Sequence, residues 1–148
     1  MPLEKPASFE AGFFVSMSRS VNFREAVFMS RDIINAICAE FPGAEVSDPW
    51  GSGEDGNRHD AWKIGGKMFA SIGVIAQGVS VKTDSVETAQ MLIEVGVGIK
   101  APYFHRSWVN LPFETDPEEL RHRITLSYEL IRGKLTQKAQ AALPKYPT

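Results

Sequence analysis

The side chains of this sequence that are best suited to chemistry are five basic residues and one tryptophan, all within short segments of β-forming residues. They are Lys63, Lys67, Lys82, His105, Arg106 and Trp108. Basic side chains contact phosphate oxygens without reading a base sequence, and a flat aromatic ring can stack on a base or pack against a cation. If the fold gathers these six side chains on one surface, that surface is suited to a phosphate-rich polymer.

The clearest local pattern is the glycine pair Gly65-Gly66 between two β-forming runs, because paired glycines supply the positive φ angles of a two-residue hairpin turn. Such a turn pairs Ile64 with Lys67 and Lys63 with Met68, so the two lysines project to opposite faces. They can flank a hairpin tip that enters a groove. They can equally be the solvated ends of an ordinary hairpin, where charge beside a turn is common.

Two further β segments carry the other basic residues. Val79–Lys82 alternates apolar and polar residues, which predicts a strand with its valines inward and its lysine outward. Ala101–Phe104 and Trp108–Leu111 are predicted as two short strands joined by a turn at residues 105–107. The sequence therefore predicts a second hairpin.

These strands allow two interpretations of the basic residues that they carry. In the first, Lys82, His105, Arg106 and Trp108 converge on one exposed face and combine cations with an aromatic surface. In the second, Trp108 packs in the core and Arg106 only decorates a turn. Burial is the favoured prediction for Trp108, because large aromatic side chains are usually buried.

A first helix is predicted over Arg31–Phe41, with Ser30 as its cap and Pro42-Gly43 as its end. Its apolar stripe at 3.6-residue spacing consists of Ile34, Ile37, Cys38 and Phe41. Residues 1–29 show no sustained period and are interpreted as an N-terminal extension.

Capping boxes mark two further helices. Asp84 with Glu87 opens one that reaches about Glu94, and Asp116 with Glu119 opens the last, which ends near Lys134. The following segment, residues 136–148, contains two prolines and is predicted to be a frayed tail.

The composition is that of an ordinary globular protein: 148 residues, 43% hydrophobic and 23% charged, which fits one domain. Cys38 is the single cysteine and is expected to be a core residue, as are Trp50 and Trp62. The absence of a disulfide and of a signal-peptide pattern predicts a cytoplasmic protein. No run approaches the roughly 18 apolar residues of a membrane span, so no membrane association is expected.

The net charge of −2 hides an asymmetry along the chain. Residues 1–57 hold four basic and nine acidic side chains, whereas residues 58–106 hold six basic and four acidic ones. Since binding follows local potential rather than net charge, the mildly basic region downstream of residue 57 is compatible with an anionic partner.

Patterns for cofactors, metals and catalysis are missing or incomplete. Gly51–Gly56 matches the letters of the dinucleotide fingerprint, but a strand follows it instead of a helix, and its two acidic residues would repel phosphate, so no cofactor is expected. Three histidines and one cysteine at scattered positions predict no metal site, with His59 and Asp60 interpreted as solvated loop neighbours. No serine lies on a nucleophile elbow, and an enzyme is not predicted.

Several short motifs occur in a characteristic order and spacing between about Ser30 and Lys134. They are Pro42-Gly43-Ala44, Pro49-Trp50-Gly51, Lys63 with Gly66–Ala70, Val81-Lys82, Trp108-Val109 and Ser127–Leu130. This order resembles the MmcQ/YjbR family. The resemblance implies an α+β fold with an antiparallel sheet covered by helices, similar in topology to the CyaY/frataxin fold, and a double-wing arrangement of hairpins described as DNA-binding. A long N-terminal extension and an enlarged loop at Ser52–His59 depart from the family pattern.

The sequence thus predicts one α+β domain over residues 30–135 and leaves three hypotheses for its function. The leading one is a non-enzymatic module that binds the phosphate backbone of double-stranded DNA with little sequence preference, through the basic residues of its two hairpins. The second is a protein-interaction module that binds a partner or a second copy. The third is an enzyme or small-molecule binder that uses the long loop at residues 51–60.

Overall fold

The strands form an antiparallel sheet, and the helices pack on one of its faces. The computed structural model describes residues 23–48, 59–73 and 77–146, with side chains described from residue 30 onward. The strands of this part of the chain are β1 (Glu45–Ser47), β2 (Asp60–Ile64), β3 (Lys67–Ile72), β4 (Gly78–Lys82), β5 (Ile99–Lys100) and β6 (Trp108–Pro112). Its helices are α1 (Phe23–Ala39), α2 (Val86–Glu94), α3 (Pro117–Gly133) and α4 (Gln137–Ala141).

The strand order is β1-β2-β3-β4-β6-β5, and every neighbouring pair is antiparallel. The predicted α+β class with an antiparallel sheet covered by helices is therefore confirmed. The double-wing arrangement, the CyaY-like topology and the domain boundaries at residues 30 and 135 stay predictions.

The hairpin of β2 and β3 has the predicted register. Gly65 and Gly66 adopt φ angles of 57° and 81°, and Ile64 pairs with Lys67 across the turn. Further along, Trp62 pairs with Ala70 but Lys63 pairs with Met68, which leaves one extra residue in β3, Phe69. This bulge lets Phe69 join the residues that face the helices.

Strand alternation separates a helix face from a second face of the sheet. On β4 and β6, the helix face carries four fully buried apolar residues, which are Val79, Val81, Val109 and Leu111. The second face carries the alternate residues of the same strands, Ser80, Lys82, Trp108 and Asn110.

The aromatic centre of the core lies between α3, the end of α1 and the bulge. The ring of Tyr128 stacks on Phe41 at 4.6 Å and meets Phe69 edge-on at 5.3 Å. Its hydroxyl donates to the carbonyl of Pro42 at 2.6 Å. Ser127, one position earlier, donates to the carbonyl of Phe69 at 2.6 Å, so α3 binds the bulge through its backbone as well.

Helix α1 begins earlier than the sequence predicted. Ser30 was expected to cap it, but the helix already starts at Phe23, so that prediction is wrong. The apolar stripe is confirmed, since Ile34, Ile37 and Cys38 are buried and Phe41 packs against the core.

The residues His59 and Asp60 are buried, and their interpretation as solvated loop neighbours is wrong. Asp60 begins β2 and receives hydrogen bonds from Arg31 at 3.0 Å and from Asn35 at 3.2 Å, both on α1. Asn35 in turn accepts a bond from the indole of Trp62 at 2.8 Å, and Trp62 is a core residue as predicted.

The caps of the later helices differ in detail from the predicted boxes. The cap of α2 is Ser85, whose hydroxyl accepts from the backbone N–H of Thr88, so the prediction of Asp84 is wrong by one residue. Asp116 holds the cap position of α3 but makes no side-chain cap hydrogen bond. Glu119, its predicted box partner, instead forms a salt bridge with Arg123 at 2.8 Å.

The predicted strand Ala101–Phe104 is wrong. The strand that pairs with β6 is Ile99–Lys100, and residues 101–107 form a loop. The strand from Trp108 and the turn before it are confirmed, the latter by the bond from the Trp108 N–H to the His105 carbonyl.

The C-terminal segment is ordered further than predicted. Thr136 caps the short helix α4, and Leu143 and Tyr146 pack against the core. Arg132 holds the segment by donating to the carbonyl of Pro144 at 2.7 Å. The prediction that residues 136–148 are frayed is therefore wrong for residues 137–146.

The interpretation of residues 1–29 as an extension falls outside the described residues for residues 1–22, whereas residues 23–29 belong to α1. The burial of Trp50 and the glycine-rich motif Gly51–Gly56 also lie outside the described residues. Among the described residues, none of the helices has the length and apolar character needed to span a membrane.

Candidate functional site

Lys82 and Trp108 are direct cross-strand partners on the second face of the sheet, and both are partly exposed. The favoured prediction that Trp108 packs in the core is therefore wrong, because Trp108 is only partly buried and does not belong to the core cluster. Their strands end at the loop of residues 101–107, which brings His105 and Arg106 to the same end of the sheet. Lys100 pairs with Val109 and so starts on the helix face, but it adjoins His105 and Arg106 where all three line the same cleft. We call Lys82, Lys100, His105 and Arg106 the basic surface.

A buried serine organises this end of the sheet. The ammonium group of Lys82 donates to the hydroxyl of Ser107 at 2.8 Å, and the same hydroxyl lies 2.9 Å from Nδ1 of His105. The backbone N–H of Ser107 also donates to that Nδ1 at 3.1 Å, so Nδ1 is the acceptor and the serine hydroxyl donates to it. In the neutral ring this leaves the proton on Nε2, which is available as a hydrogen-bond donor at the exposed edge.

The position of Ser107 is fixed by the neighbouring strand end. Its carbonyl accepts from the backbone N–H of Thr83 at 2.8 Å and from the Thr83 hydroxyl at 2.7 Å. The backbone N–H of Lys82 donates to Ser127 of α3 at 2.9 Å. The lysine and the serine are therefore held by the sheet and by α3 rather than by a free loop.

The charge of Lys82 lacks an acidic partner within the part of the chain that the structure describes, since no carboxylate there forms a salt bridge with it. Burial lowers the pKa of Lys82, and the positive charge of Lys134 lowers it further. The positive charges of Lys82 and Lys134 repel each other, and an anion placed between or beside them would stabilise both. This arrangement suits a phosphate group.

Aromatic side chains adjoin the basic surface. The ring of Phe104 stacks on Trp108, with the ring centres 4.5 Å apart and 24° between the planes. Tyr103 is completely exposed and has a φ angle of 69°, a left-handed conformation that is uncommon for a large residue. The loop thus presents aromatic rings instead of burying them.

The loop and the helix α2 enclose a cleft of about 340 Å³. Its lining includes the apolar side chains of Ile93, Phe104 and Trp108 and the basic side chains of Lys100 and Arg106. A mostly apolar cleft with a few polar groups at defined positions is the usual form of a small-ligand site.

The two hairpin lysines do not join this cluster. Lys63 lies on the second face, two strands from Lys82, and its direct cross-strand partner is Glu45 of β1, so a residue of opposite charge stands beside it. Lys67 pairs with Ile64 at the hairpin turn and projects from the other face, as the register predicted. The structure brings together Lys82, His105, Arg106 and Trp108 and leaves the other two residues apart.

Sequence reasoning missed four residues of this region: Lys100, Tyr103, Phe104 and Lys134. The first three stand in the segment from Lys100 to Trp108, whose density of aromatic and basic residues was a usable signal. The predicted strand obscured it, because a strand would have turned alternate residues inward. No local signal identified Lys134, which approaches Lys82 only through the fold.

A second histidine–serine pair offers an alternative site on the second face. Nε2 of His59 lies 2.7 Å from the hydroxyl of Ser71, and burial lowers the pKa of His59. Both side chains are buried, with 4% and 3% exposed, and Ser71 stands within a strand between Ala61 and Ser80. A nucleophile needs access to its substrate, so this pair is suited to packing rather than to catalysis.

Cys38 and the acidic side chains give no reactive or metal-binding centre among the described residues. Burial, and secondly the charge of Asp60, raises the pKa of the Cys38 thiol, which keeps it protonated and unreactive. The described residues contain no group of three or more His, Cys, Asp or Glu side chains that could hold a metal ion.

Comparison with curated proteins gives no match. Comparison with protein-family models matches residues 39–130 to the model described as YjbR. The matched region runs from the end of α1 into α3 and includes the whole sheet, the loop of residues 101–107 and the cleft. Because it covers more than half of the sequence, the chain belongs to the YjbR family.

Proposed function

We propose that this chain is a non-enzymatic nucleic-acid-binding module that holds the phosphate backbone of DNA at the basic surface. The observation that carries the proposal is the hydrogen bond of Lys82 to the neutral Ser107, with a second cation, Lys134, nearby. A cation held in place without a carboxylate keeps its charge available to a phosphate oxygen.

The neighbouring groups support the same ligand. Lys100 and Arg106 are exposed, and neither forms a salt bridge within the described residues. Nε2 of His105 adds a donor, so the surface offers point charges, a planar guanidinium and an imidazole N–H over a short distance. These groups recognise phosphate through charge and hydrogen bonds, and they read no base, so little sequence preference is expected.

The strength of binding follows from the number of cations. With roughly three to four phosphate contacts, the logarithm of the association constant falls with a slope of about −3 against the logarithm of salt concentration. Affinity should therefore fall roughly 60-fold between 50 and 200 mM salt. We expect weak binding that is detectable chiefly at low salt.

Fluorescence anisotropy with labelled duplex and single-stranded DNA over a salt series tests the proposal. The double variant Lys100→Gln/Arg106→Gln removes two exposed cations of the basic surface and should weaken binding to both DNA forms. The matched control Lys138→Gln/Lys145→Gln removes the same charge from the exposed C-terminal segment and should bind like the parent. A flat titration at low salt, or equal losses in the two variants, contradicts the proposal.

A protein-interaction module is the second candidate, and one observation favours it. Four apolar side chains from the end of α2 to the edge strand β5 are exposed, Met91 by 47%, Ile93 by 37%, Val95 by 64% and Ile99 by 43%. Adjacent exposed apolar groups often mark a protein interface, and a strand at a sheet edge has unpaired backbone groups. Recovery of one stoichiometric protein partner without nucleic acid, lost in Val95→Asp, would favour this function over DNA binding.

A further inference from the structure

We propose that the cleft beside Trp108 accepts one unstacked nucleobase, so that the module binds single-stranded or frayed DNA in preference to continuous duplex. The inference rests on the proposed function, because the phosphate contacts of the basic surface bring the strand to the cleft. It goes further by assigning the ligand class of the cleft and the orientation of the bound nucleotide.

The size and walls of the cleft fit one base. At about 340 Å³ it stands at the lower end of the range of about 300 to 1,000 Å³ for small-ligand pockets. Ile93, Ala101, Phe104 and Trp108 give it apolar and aromatic walls. A base within a continuous duplex is stacked on both sides and cannot enter such a cleft, whereas a base of a single strand can.

The charges around the cleft give the nucleotide one orientation. Lys100, His105 and Arg106 line one part of the cleft, and Gln90 and Glu94 line the part formed by α2. A phosphate is attracted to the cations and repelled by Glu94. The base edge therefore meets α2, and the phosphate meets the basic surface.

The polar pair on α2 further predicts which bases are favoured. Gln90 and Glu94 are four residues apart and so share one face of the helix. A carboxylate accepts hydrogen bonds from exocyclic amino groups, such as that of cytosine, and a glutamine amide can pair with adenine. Thymine has no amino group, so cytosine and adenine should bind better than thymine.

Tyr103 provides a second stacking surface outside the cleft. Its ring is completely exposed next to Phe104. Aromatic rings that stack on successive bases are the common means of holding a single strand without reading its sequence. A single strand can therefore place one base in the cleft and the next on Tyr103.

The experiment compares three labelled DNAs of equal length at low salt by anisotropy: an oligo-dC strand, an oligo-dT strand and a blunt hairpin duplex. The expected order of affinity is dC, then dT, then duplex, with dC roughly tenfold or more above duplex, as stacking of a base allows. Phe104→Leu and Tyr103→Ser should weaken both single strands and leave the duplex unchanged. Glu94→Gln, an exposed substitution, should reduce the preference for dC over dT.

The outcomes separate this inference from the function on which it rests. Salt-sensitive binding of equal strength to strands and duplex, unaffected by Phe104→Leu or Tyr103→Ser, overturns the base cleft and leaves phosphate binding intact. Absence of binding to all three DNAs at low salt overturns the proposed function itself. Circular dichroism and urea unfolding of each variant identify any loss of binding that is due to unfolding.

Discussion

The ammonium group of Lys82 donates a hydrogen bond of 2.8 Å to the hydroxyl of Ser107. A carboxylate partner would stabilise the charge of this half-buried lysine and would also cancel it. The neutral hydroxyl fixes the direction of the ammonium group, and no carboxylate among the described residues forms a salt bridge with it. The fold therefore maintains an electrostatic cost at this position, which an anionic ligand would relieve.

The first prediction concerns Lys82→Met. Burial and Lys134 lower the pKa of Lys82, so the charged form is less favourable in the folded state than in the unfolded state. Removing the charge should therefore leave stability at neutral pH equal or higher, while DNA affinity falls about tenfold and the salt slope becomes shallower by about one unit. Urea unfolding and anisotropy measure the two effects.

The control for this experiment is Lys138→Met, which removes an exposed cation and should change neither quantity. The direction of the effect of Lys82 on stability can also be checked by measuring stability as a function of pH. The destabilisation by Lys82 is complete below its folded-state pKa and disappears as pH rises through that value toward 10.5, so the parent should gain stability relative to Lys82→Met in that window. A destabilised Lys82→Met variant with normal DNA affinity would contradict the functional role.

The second prediction concerns Ser127, which joins two strands to α3. Its hydroxyl donates to the carbonyl of Phe69 at 2.6 Å and accepts from the N–H of Lys82 at 2.9 Å. Ser127→Ala leaves both buried backbone groups without this partner, so the free energy of unfolding should fall by about 1–3 kcal/mol. Thr125→Ala is the control, because that exposed hydroxyl bonds only to the carbonyl of Arg121 in its own helix. Equal unfolding midpoints for the two variants would show that the bridge contributes little.

Ser127 and Phe69 also show what the sequence could predict. The register of the β2–β3 hairpin followed from Gly65 and Gly66, because a two-residue turn fixes the pairs beside it. The bulge two residues further on did not follow, since it depends on contacts of Phe69 with side chains about 60 residues away in α3. The turn and the register beside it could be predicted from local sequence. The bulge could not, because it depends on contacts with a distant part of the chain.

The candidate site was predicted in part for the same reason. Lys82, His105, Arg106 and Trp108 could be placed at strand ends from their pattern. The predicted strand over Ala101–Phe104 failed because β6 pairs with Ile99–Lys100 instead, and this error removed Tyr103 and Phe104 from consideration. From the sequence, Lys63 was kept among the candidate binding residues because its acidic neighbour, Glu45, lies on another strand. The two residues become adjacent only through the register of the sheet.

The third prediction contrasts a buried and an exposed ion pair. Arg31 and Asp60 meet at 3.0 Å with 11% and 2% of their side chains exposed. Asp60→Asn removes a charge that compensates the buried guanidinium, and should lower the free energy of unfolding by about 3–5 kcal/mol. Urea or thermal unfolding at neutral pH measures this loss.

The comparison variant is Arg121→Gln, which breaks the exposed pair at 2.7 Å between Arg121 of α3 and Glu40, the residue after the end of α1. Its two side chains are more than half exposed, so solvent screens their attraction and no measurable change in stability is expected. If the two variants unfold at the same denaturant concentration, the buried pair does not hold α1 against the sheet.

The last prediction concerns stability at alkaline pH. The hydroxyl of Tyr146 donates to Glu129 at 2.8 Å, and burial together with this bond raises the pKa of Tyr146 from 10.0 to about 12. A group whose pKa is higher in the folded state stabilises the fold fully below its unfolded-state pKa and loses that contribution as pH rises through the folded-state pKa. The contribution of Tyr146 to holding the C-terminal segment on α3 should therefore be lost between pH 10 and about 12. Tyr146→Phe cannot ionise, so its urea midpoint should fall less steeply than that of the parent over this range.

The control variant Tyr103→Phe alters a tyrosine that is completely exposed, and its urea midpoint should fall with pH as steeply as that of the parent. Parallel curves for the parent and Tyr146→Phe would mean that the bond to Glu129 does not couple this segment to the folding equilibrium.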